Sequence, residues 1–244
     1  MSTQTIKGTS VLVTGASRGL GLAFLKAFAE RGAAKIYAGC KTREGVAYVS
    51  GLDIPNVTPL FLDVTDAGQI NALAQEIKTL DIIVNNAGIA SACGFTNDDV
   101  LEIATAEMNT HYYGPLKLVN TFLPLLKQAE QGGIINIASI AAISNFKAMG
   151  TYSASKAALH FMTQGLRAEL SDTNIFVQGV YPGPFDTRLA AGFNGPKQSP
   201  EAIASTVLDL YRERVEEVFP DDFSKTMYAT FLESPKKLAE IFSQ

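Results

Sequence analysis

Short apolar runs alternate along this chain with longer stretches in which apolar positions recur every three or four residues. The runs fall at Ser10–Thr14 and at residues 35–39, 58–62, 81–84, 133–138 and 175–181. Between them, segments 19–31, 67–78, 98–109, 112–128 and 152–171 carry the helical period, with polar residues on the opposite face. Gly32 closes the first helix, and Asp66 supplies an N-cap for the second. Strands apolar on both faces and separated by helices predict a parallel sheet covered on two sides. An edge strand at 216–219 and a last helix at 235–242 complete the expected order. No repeat, linker or low-complexity stretch interrupts the 244 residues, so one α/β domain over 1–244 is expected.

Right-handed crossovers gather ligand groups at the carboxyl ends of such strands. The polar and glycine-rich clusters of this chain fall at those ends. They are the turn Thr14-Gly15-Ala16-Ser17-Arg18-Gly19-Leu20-Gly21, the pair Asp63-Val64, the run Asn85-Asn86-Ala87-Gly88, Ser139, and residues 182–187. Gly15, Gly19 and Gly21 allow a tight turn and a close approach of a diphosphate to a helix N-terminus. There, free backbone N–H groups and the helix dipole favour anions.

Tyr152 and Lys156 stand four residues apart in a helical segment, which puts their Cβ atoms about 5–6 Å apart on one face. An ammonium held there is expected to draw the phenol below its ordinary value of about 10, towards general acid or base work near neutral pH. Ser139 is placed to hold a carbonyl or alcohol oxygen within reach of that phenol. A solvated helix face is the bland reading of the Tyr-x-x-x-Lys spacing taken alone, and the joint occurrence with the glycine turn argues against it.

Composition narrows the classes. A hydrophobic content of 47% with 18% charged residues indicates a compact globular chain, and a net charge of −4 offers no electrostatic footprint for nucleic acid. The most apolar stretch, 134–143, is interrupted by Asn136 and Ser139 and reads as a strand, not a membrane span. The first residues carry no apolar segment of the secretory type. Two cysteines, Cys40 and Cys93, and two histidines exclude a disulfide framework, argue against a metal cluster, and point to a reducing, cytoplasmic compartment.

Taken together, residues 14–21, Asn85-Asn86-Ala87-Gly88, Ser139, Tyr152-Ser153-Ala154-Ser155-Lys156 and Pro182-Gly183 with Thr187 resemble the short-chain dehydrogenase/reductase family across nearly the whole length. The resemblance implies a Rossmann-type doubly wound, mostly parallel seven-stranded sheet with helices on both faces. It also implies a nicotinamide cofactor and hydride transfer at a carbonyl carbon. Tyr152 would be the proton donor or acceptor, Lys156 would hold the nicotinamide ribose, and Ser139 would bind the substrate oxygen. Gly15, Ser17, Arg18, Gly19, Leu20 and Gly21 would cradle the diphosphate. Asp63 and Val64 would meet the adenine, Asn85, Ala87 and Gly88 would line the groove, and Pro182, Gly183 and Thr187 would also bind the cofactor. A homodimer or homotetramer through the helices at 112–128 and 152–171 is the family's usual assembly, with His160 at the helix surface or an interface.

One position departs from the family pattern. Where an Asn commonly precedes a Gly as Asn-x-x-Gly and completes a proton relay, the spacing before Gly114 puts His111. A histidine can donate and accept, so it can serve the relay; a distorted helix would bring Asn109 there instead, and a third reading has neither residue taking part.

The cofactor preference is a charge question. An NAD enzyme normally carries an acid at the end of the second strand, whereas a 2′-phosphate needs cations. Cys40 stands at that place, followed by Lys41 and Arg43, with Arg18 across the turn, so NADP(H) is expected. The segments bordering the reacting carbon offer Phe95, Ile143, Phe146, Met149, Phe185, Leu189 and Phe193, which favours an apolar or aromatic aldehyde or ketone. Residues 184–199 are the expected lid. The leading expectation is thus an NADPH-dependent carbonyl reductase, reversible as an alcohol dehydrogenase; a non-catalytic NADPH-binding sensor or scaffold is the alternative.

Overall fold

The structure, a computed structural model, describes residues 3–184 and 197–244. Its sheet has seven strands: β1 (Ser10–Thr14), β2 (Lys35–Cys40), β3 (Val57–Phe61), β4 (Ile82–Asn85), β5 (Gly132–Ile137), β6 (Ile175–Val180) and β7 (Glu217–Val218). They lie in the order β3-β2-β1-β4-β5-β6-β7, and every neighbouring pair is parallel. The order reverses between β1 and β4, which is where a doubly wound sheet opens a crevice at its carboxyl edge.

Alternation along the strands explains the two helical layers. Val11 and Val13 of β1 face a core shared with Phe24 and Phe28 of helix α1 (Gly19–Glu30), while Leu12 between them faces the other core. That second core packs under α3 (Ala67–Glu76) and α5 (Gly114–Gln128), with Phe122 and Leu126 fully buried. Burying such side chains is worth roughly 1.5–3 kcal/mol each, and both sheet faces gain it.

Three helices lie where no helix is expected from the pattern of apolar positions: α2 (Arg43–Ser50), α7 (Pro200–Arg212) and α8 (Asp222–Glu233). α7 covers the β1 side of the sheet through Ile203, Val207 and Tyr211. α8 carries a capping box at Asp221 and Ser224, then gives way to α9 (Pro235–Phe242). The expected break between residues 109 and 112 is absent. Helix α4 (Val100–Met108) runs through a π-helical turn, Asn109–Tyr113, directly into α5. Pro115 has no N–H to return to the His111 carbonyl, which loosens the α ladder at this point. Helix α6 (Gly150–Glu169) starts two residues earlier than expected. No helix among the described residues is long and apolar enough to cross a membrane.

Candidate active site

At the carboxyl end of β1 the chain turns through Gly15 (φ 63°) and Gly19 (φ 52°), left-handed conformations that favour glycine, and enters α1. Gly21 is required for another reason: a Cβ there would stand 2.2 Å from the Gly15 carbonyl oxygen. α1 begins with no side-chain cap and no acid in its first turn, so its leading N–H groups stay free for an anion. The Asn86 side-chain amide donates to the Thr14 carbonyl at 2.8 Å, and the Thr14 hydroxyl accepts the N–H groups of Asn86 and Ala87 at 3.0 Å each. β4's run Asn85-Asn86-Ala87-Gly88 therefore clamps the glycine turn.

Ser139, Tyr152 and Lys156 assemble one strand away. Ser139 follows β5 and caps the short 3₁₀ turn Ile140–Ala142, its hydroxyl accepting the Ala141 N–H at 3.1 Å. The Tyr152 phenol lies beside the same hydroxyl, which favours its ionised form. Lys156, one turn further along α6, sits 5.7 Å from the Tyr152 ring centroid and donates to the Ile137 carbonyl at 2.8 Å. Ser139, Tyr152 and Lys156 thus meet at one point.

Their electrostatics differ from the expectation. Burial pushes the Tyr152 phenol up to about 12, against a smaller lowering by Ser139. Burial likewise takes Lys156 down to about 7. Helix spacing alone suggests an ammonium that acidifies its neighbour; desolvation of both groups outweighs that attraction in a site this dry.

His111 lies on the π turn, buried, with its ring edge against Tyr152 at a centroid distance of 5.4 Å. Nε2 accepts the Ile89 N–H at 3.1 Å, so the proton of the neutral ring rests on Nδ1, which donates to the Ser155 hydroxyl at 2.8 Å. Ser155 in turn donates to the Tyr152 carbonyl at 2.7 Å. Burial, then the charge of Lys156, holds this imidazole well below its ordinary value. Both ring nitrogens are committed to protein groups, so His111 braces the Tyr152 backbone and the loop after β4. Asn109 also lies on the π turn, and its contacts do not enter this network.

The sequence profile described as short chain dehydrogenase matches residues 9–198. The chain belongs to the short-chain dehydrogenase family. Among its relatives, the ketoacyl reductase HetN of Nostoc sp. is 29% identical over 98% of this chain and 89% of its own. An uncharacterized oxidoreductase of Staphylococcus aureus is 33% identical over 81% of this chain and 88% of its own. A short chain dehydrogenase from Burkholderia cenocepacia, solved in complex with NADP, superposes with a TM-score of 0.91 at 33% identity, covering 99% of this chain and all of that one.

In this dehydrogenase the remaining expected residues fall as follows. The Asp63 carboxylate accepts from the Thr65 N–H and hydroxyl at 3.0 and 2.8 Å through one oxygen and pairs with Lys41 at 3.0 Å through the other. Burial raises its pKa, but the Thr65 bonds and Lys41 outweigh that and hold it below the usual value. Val64 is buried against Gly114. Cys40 is buried at the end of β2, its thiol donating to the Ala38 carbonyl. Arg43 opens α2 and lies over the Phe61 ring at 5.3 Å. Gly88 abuts His111, and a Cβ there would lie 3.4 Å from Nε2. The Pro182 carbonyl accepts the Ile140 N–H, and the Gly183 N–H donates to Asp221 at 2.8 Å. Thr187, Phe185, Leu189 and Phe193, with most of the expected lid, lie outside the described residues. The exposed Phe95 packs against Gly150, and Phe146 meets Phe242 of α9 at 5.5 Å between ring centroids. Asp221 joins the site without a signal in the sequence that singles it out, while Asn86 and Ser155 sit inside the quoted motifs but act through hydrogen bonds that the motifs do not specify.

Proposed function

We propose that this chain is an NADPH-dependent carbonyl reductase, reversible as an alcohol dehydrogenase, that acts on an apolar or aromatic aldehyde or ketone. The observation that carries the reading is the convergence of Ser139, Tyr152 and Lys156 at the carboxyl edge of the sheet that also holds the glycine cradle and the uncapped start of α1. The cradle fits a dinucleotide on its own terms, because a Cβ at Gly15 or Gly21 would fill the space against Ala87 and Asn86. Bound NADPH would supply the hydride to the carbonyl carbon. Ser139 orients the substrate oxygen, and Tyr152 gives its proton to the oxygen as negative charge develops there. A phenol held protonated suits that direction. Lys156 steadies the phenolate left behind, and its ammonium makes the proton cheaper to release.

Preference for NADPH is supported by the absence of an acid at the end of β2, where Cys40 stands, and by the cations around it. Lys41 is 63% exposed and free to leave Asp63 for a 2′-phosphate, with Arg18 opposite. The Burkholderia relative, solved with NADP, favours the same reading. Phe95, Ile143 and Phe146 supply the apolar wall for the substrate. The exposed Phe161 on α6 supports a homo-oligomer through α5 and α6, and the reducing chemistry expected of Cys40 and Cys93 fits a cytoplasmic enzyme. Initial rates with NADPH and NADH across a panel of aldehydes and ketones test this reading. The expected result is faster turnover with NADPH, and a Lys41→Asp variant should lower the NADPH-to-NADH preference by about tenfold or more, an interaction of about 1.4 kcal/mol. A preference left untouched would remove Lys41 as the discriminator.

A further inference from the structure

Asp221 is a buried carboxylate at the start of α8, and both of its oxygens take backbone N–H groups. Oδ1 accepts the Ser224 N–H at 2.8 Å and so caps the helix, while the Ser224 hydroxyl closes the box on the Asp221 N–H at 3.4 Å. Oδ2 reaches 38 residues back along the chain to accept the Gly183 N–H at 2.8 Å. Capping alone does not call for this arrangement. Ser199 and Ser234 cap α7 and α9 with one hydroxyl each, and Asp66 caps α3 from an exposed position. A buried carboxylate is costly unless its oxygens are hydrogen-bonded, and the partner of the second oxygen lies outside the helix altogether. The approach is close. A Cβ on Gly183 would stand 2.8 Å from Oδ1 of Asp221 and 2.7 Å from Cδ1 of Phe223.

The turn that Asp221 holds is itself bonded to the segment that carries Ser139. β5 and β6 end side by side, where the Ala138 N–H donates to the Val180 carbonyl at 2.8 Å and the Ile140 N–H to the Pro182 carbonyl at 3.0 Å. Ser139 lies between those two donors, so its backbone follows the chain that leaves β6. α9 presses on the same place, with Leu238 and Phe242 packed on Ile140. The C-terminal helices thus hold the Pro182-Gly183 turn by a hydrogen bond and the turn after Ser139 by apolar contact. We propose that Asp221 is a positioning residue for the reaction. By anchoring Gly183 it sets Pro182 against Ile140, and so fixes Ser139, which orients the substrate oxygen, relative to the turn expected to bind the cofactor. Its effect on turnover rests on the carbonyl-reductase reading; the tie from Asp221 to Ile140 rests on the hydrogen bonds alone.

Register of this kind affects rate more than binding. A displacement of about 1 Å between reacting groups costs up to about a hundredfold in turnover, while most contacts that hold ketone and NADPH are kept. Loss of the anchor is therefore expected to appear in kcat before KM.

Two substitutions separate the anchor from the cap. Asp221→Asn and Asp221→Ser each keep one oxygen for the Ser224 N–H, since both residues are good N-caps, and leave the Gly183 N–H without its acceptor. Amide hydrogen exchange of the full-length protein, resolved by NMR, reads the tie without substrate. The Gly183 and Ile140 amides should both be protected in the wild type, and both should exchange faster by about tenfold or more in the two variants. With NADPH and a ketone that the wild type reduces, kcat should fall by about ten- to a hundredfold, and the ketone KM should stay within about threefold. Ser224→Ala is the control. It opens the capping box without removing either Asp221 oxygen, so it should lower the melting temperature while Ile140 exchange and kcat stay near wild type. A purely structural role for Asp221 would make kcat follow stability in all three variants, and that result overturns the proposal. An Ile140 amide that stays protected in both Asp221 variants also overturns it, as does an unchanged kcat in a variant whose Ile140 amide has loosened. Faster exchange at both amides in a protein that reduces no carbonyl upholds the tie and overturns the reductase reading instead.

Discussion

Single residues decide this site by geometry and by dryness. Gly21 is the sharpest case. A methyl group there would stand 2.2 Å from the Gly15 carbonyl and 2.7 Å from the Asn86 amide nitrogen, so backbone must shift to admit it. Gly21→Ala is expected to cost about 1–3 kcal/mol of stability, as forced packing does. It should weaken NADPH binding by about tenfold or more, because the turn and the α1 N–H groups move together. Thermal melts and a fluorescence titration with NADPH measure the two effects, and an unchanged affinity would mean that the cradle is not the diphosphate site. Dryness matters as much for Tyr152 and Lys156. Their spacing is visible in the chain, but the sign of the phenol's shift depends on burial, which Tyr-Ser-Ala-Ser-Lys does not encode.

At the scale of elements, what was legible divides by mechanism. β1 and the last helix, Pro235–Phe242, match the sequence reading residue for residue, and the parallel pairing of the strands follows from alternation with helices. These are segments where apolar period and turn chemistry agree. α2 was not legible, since it carries Gly45, buries only Val49 and follows the basic run at Lys41. α7 announces itself through Ser199 as N-cap and Pro200 at the first helical position, and α8 through the Asp221 capping box; those signals lie close to prolines that read as breaks. The π turn has no periodic signature at all. An Asn-x-x-Gly count put His111 at the special place, and the structure sets it beside Tyr152. Its ring accepts from the Ile89 N–H and donates to the Ser155 hydroxyl, so it braces the loop after β4 and the start of α6.

The whole molecule should reveal its buried ionisable groups through the pH dependence of its stability. His111 is held neutral in the fold, so on acidification below about 6.5 the unfolded chain binds the extra proton and stability falls. Lys156 has a folded value near 7 against about 10.5 unfolded, so the unfolded state binds more protons between those values and stability rises with pH there. Cys40, raised to about 11, acts in the opposite direction above about 9. Above about 10, Tyr152, Tyr181 and Tyr211 stay protonated in the fold while their unfolded counterparts ionise, and stability drops steeply. The melting temperature is therefore expected to climb through neutral pH to a maximum at about pH 9–10 and to fall on both sides, more abruptly on the alkaline one. A melting curve flat from pH 5 to about 11 would contradict the burial that the structure assigns to these side chains.

The central claim, that Tyr152 is the proton donor of a carbonyl reduction, has one direct measurement. Tyr152→Phe keeps the ring that packs against His111 and removes the hydroxyl beside Ser139. NADPH oxidation in the presence of a ketone that the wild-type protein reduces should fall by at least about a hundredfold, the ordinary contribution of a positioned acid, while NADPH still binds with near wild-type affinity. Turnover retained in that variant would contradict the account.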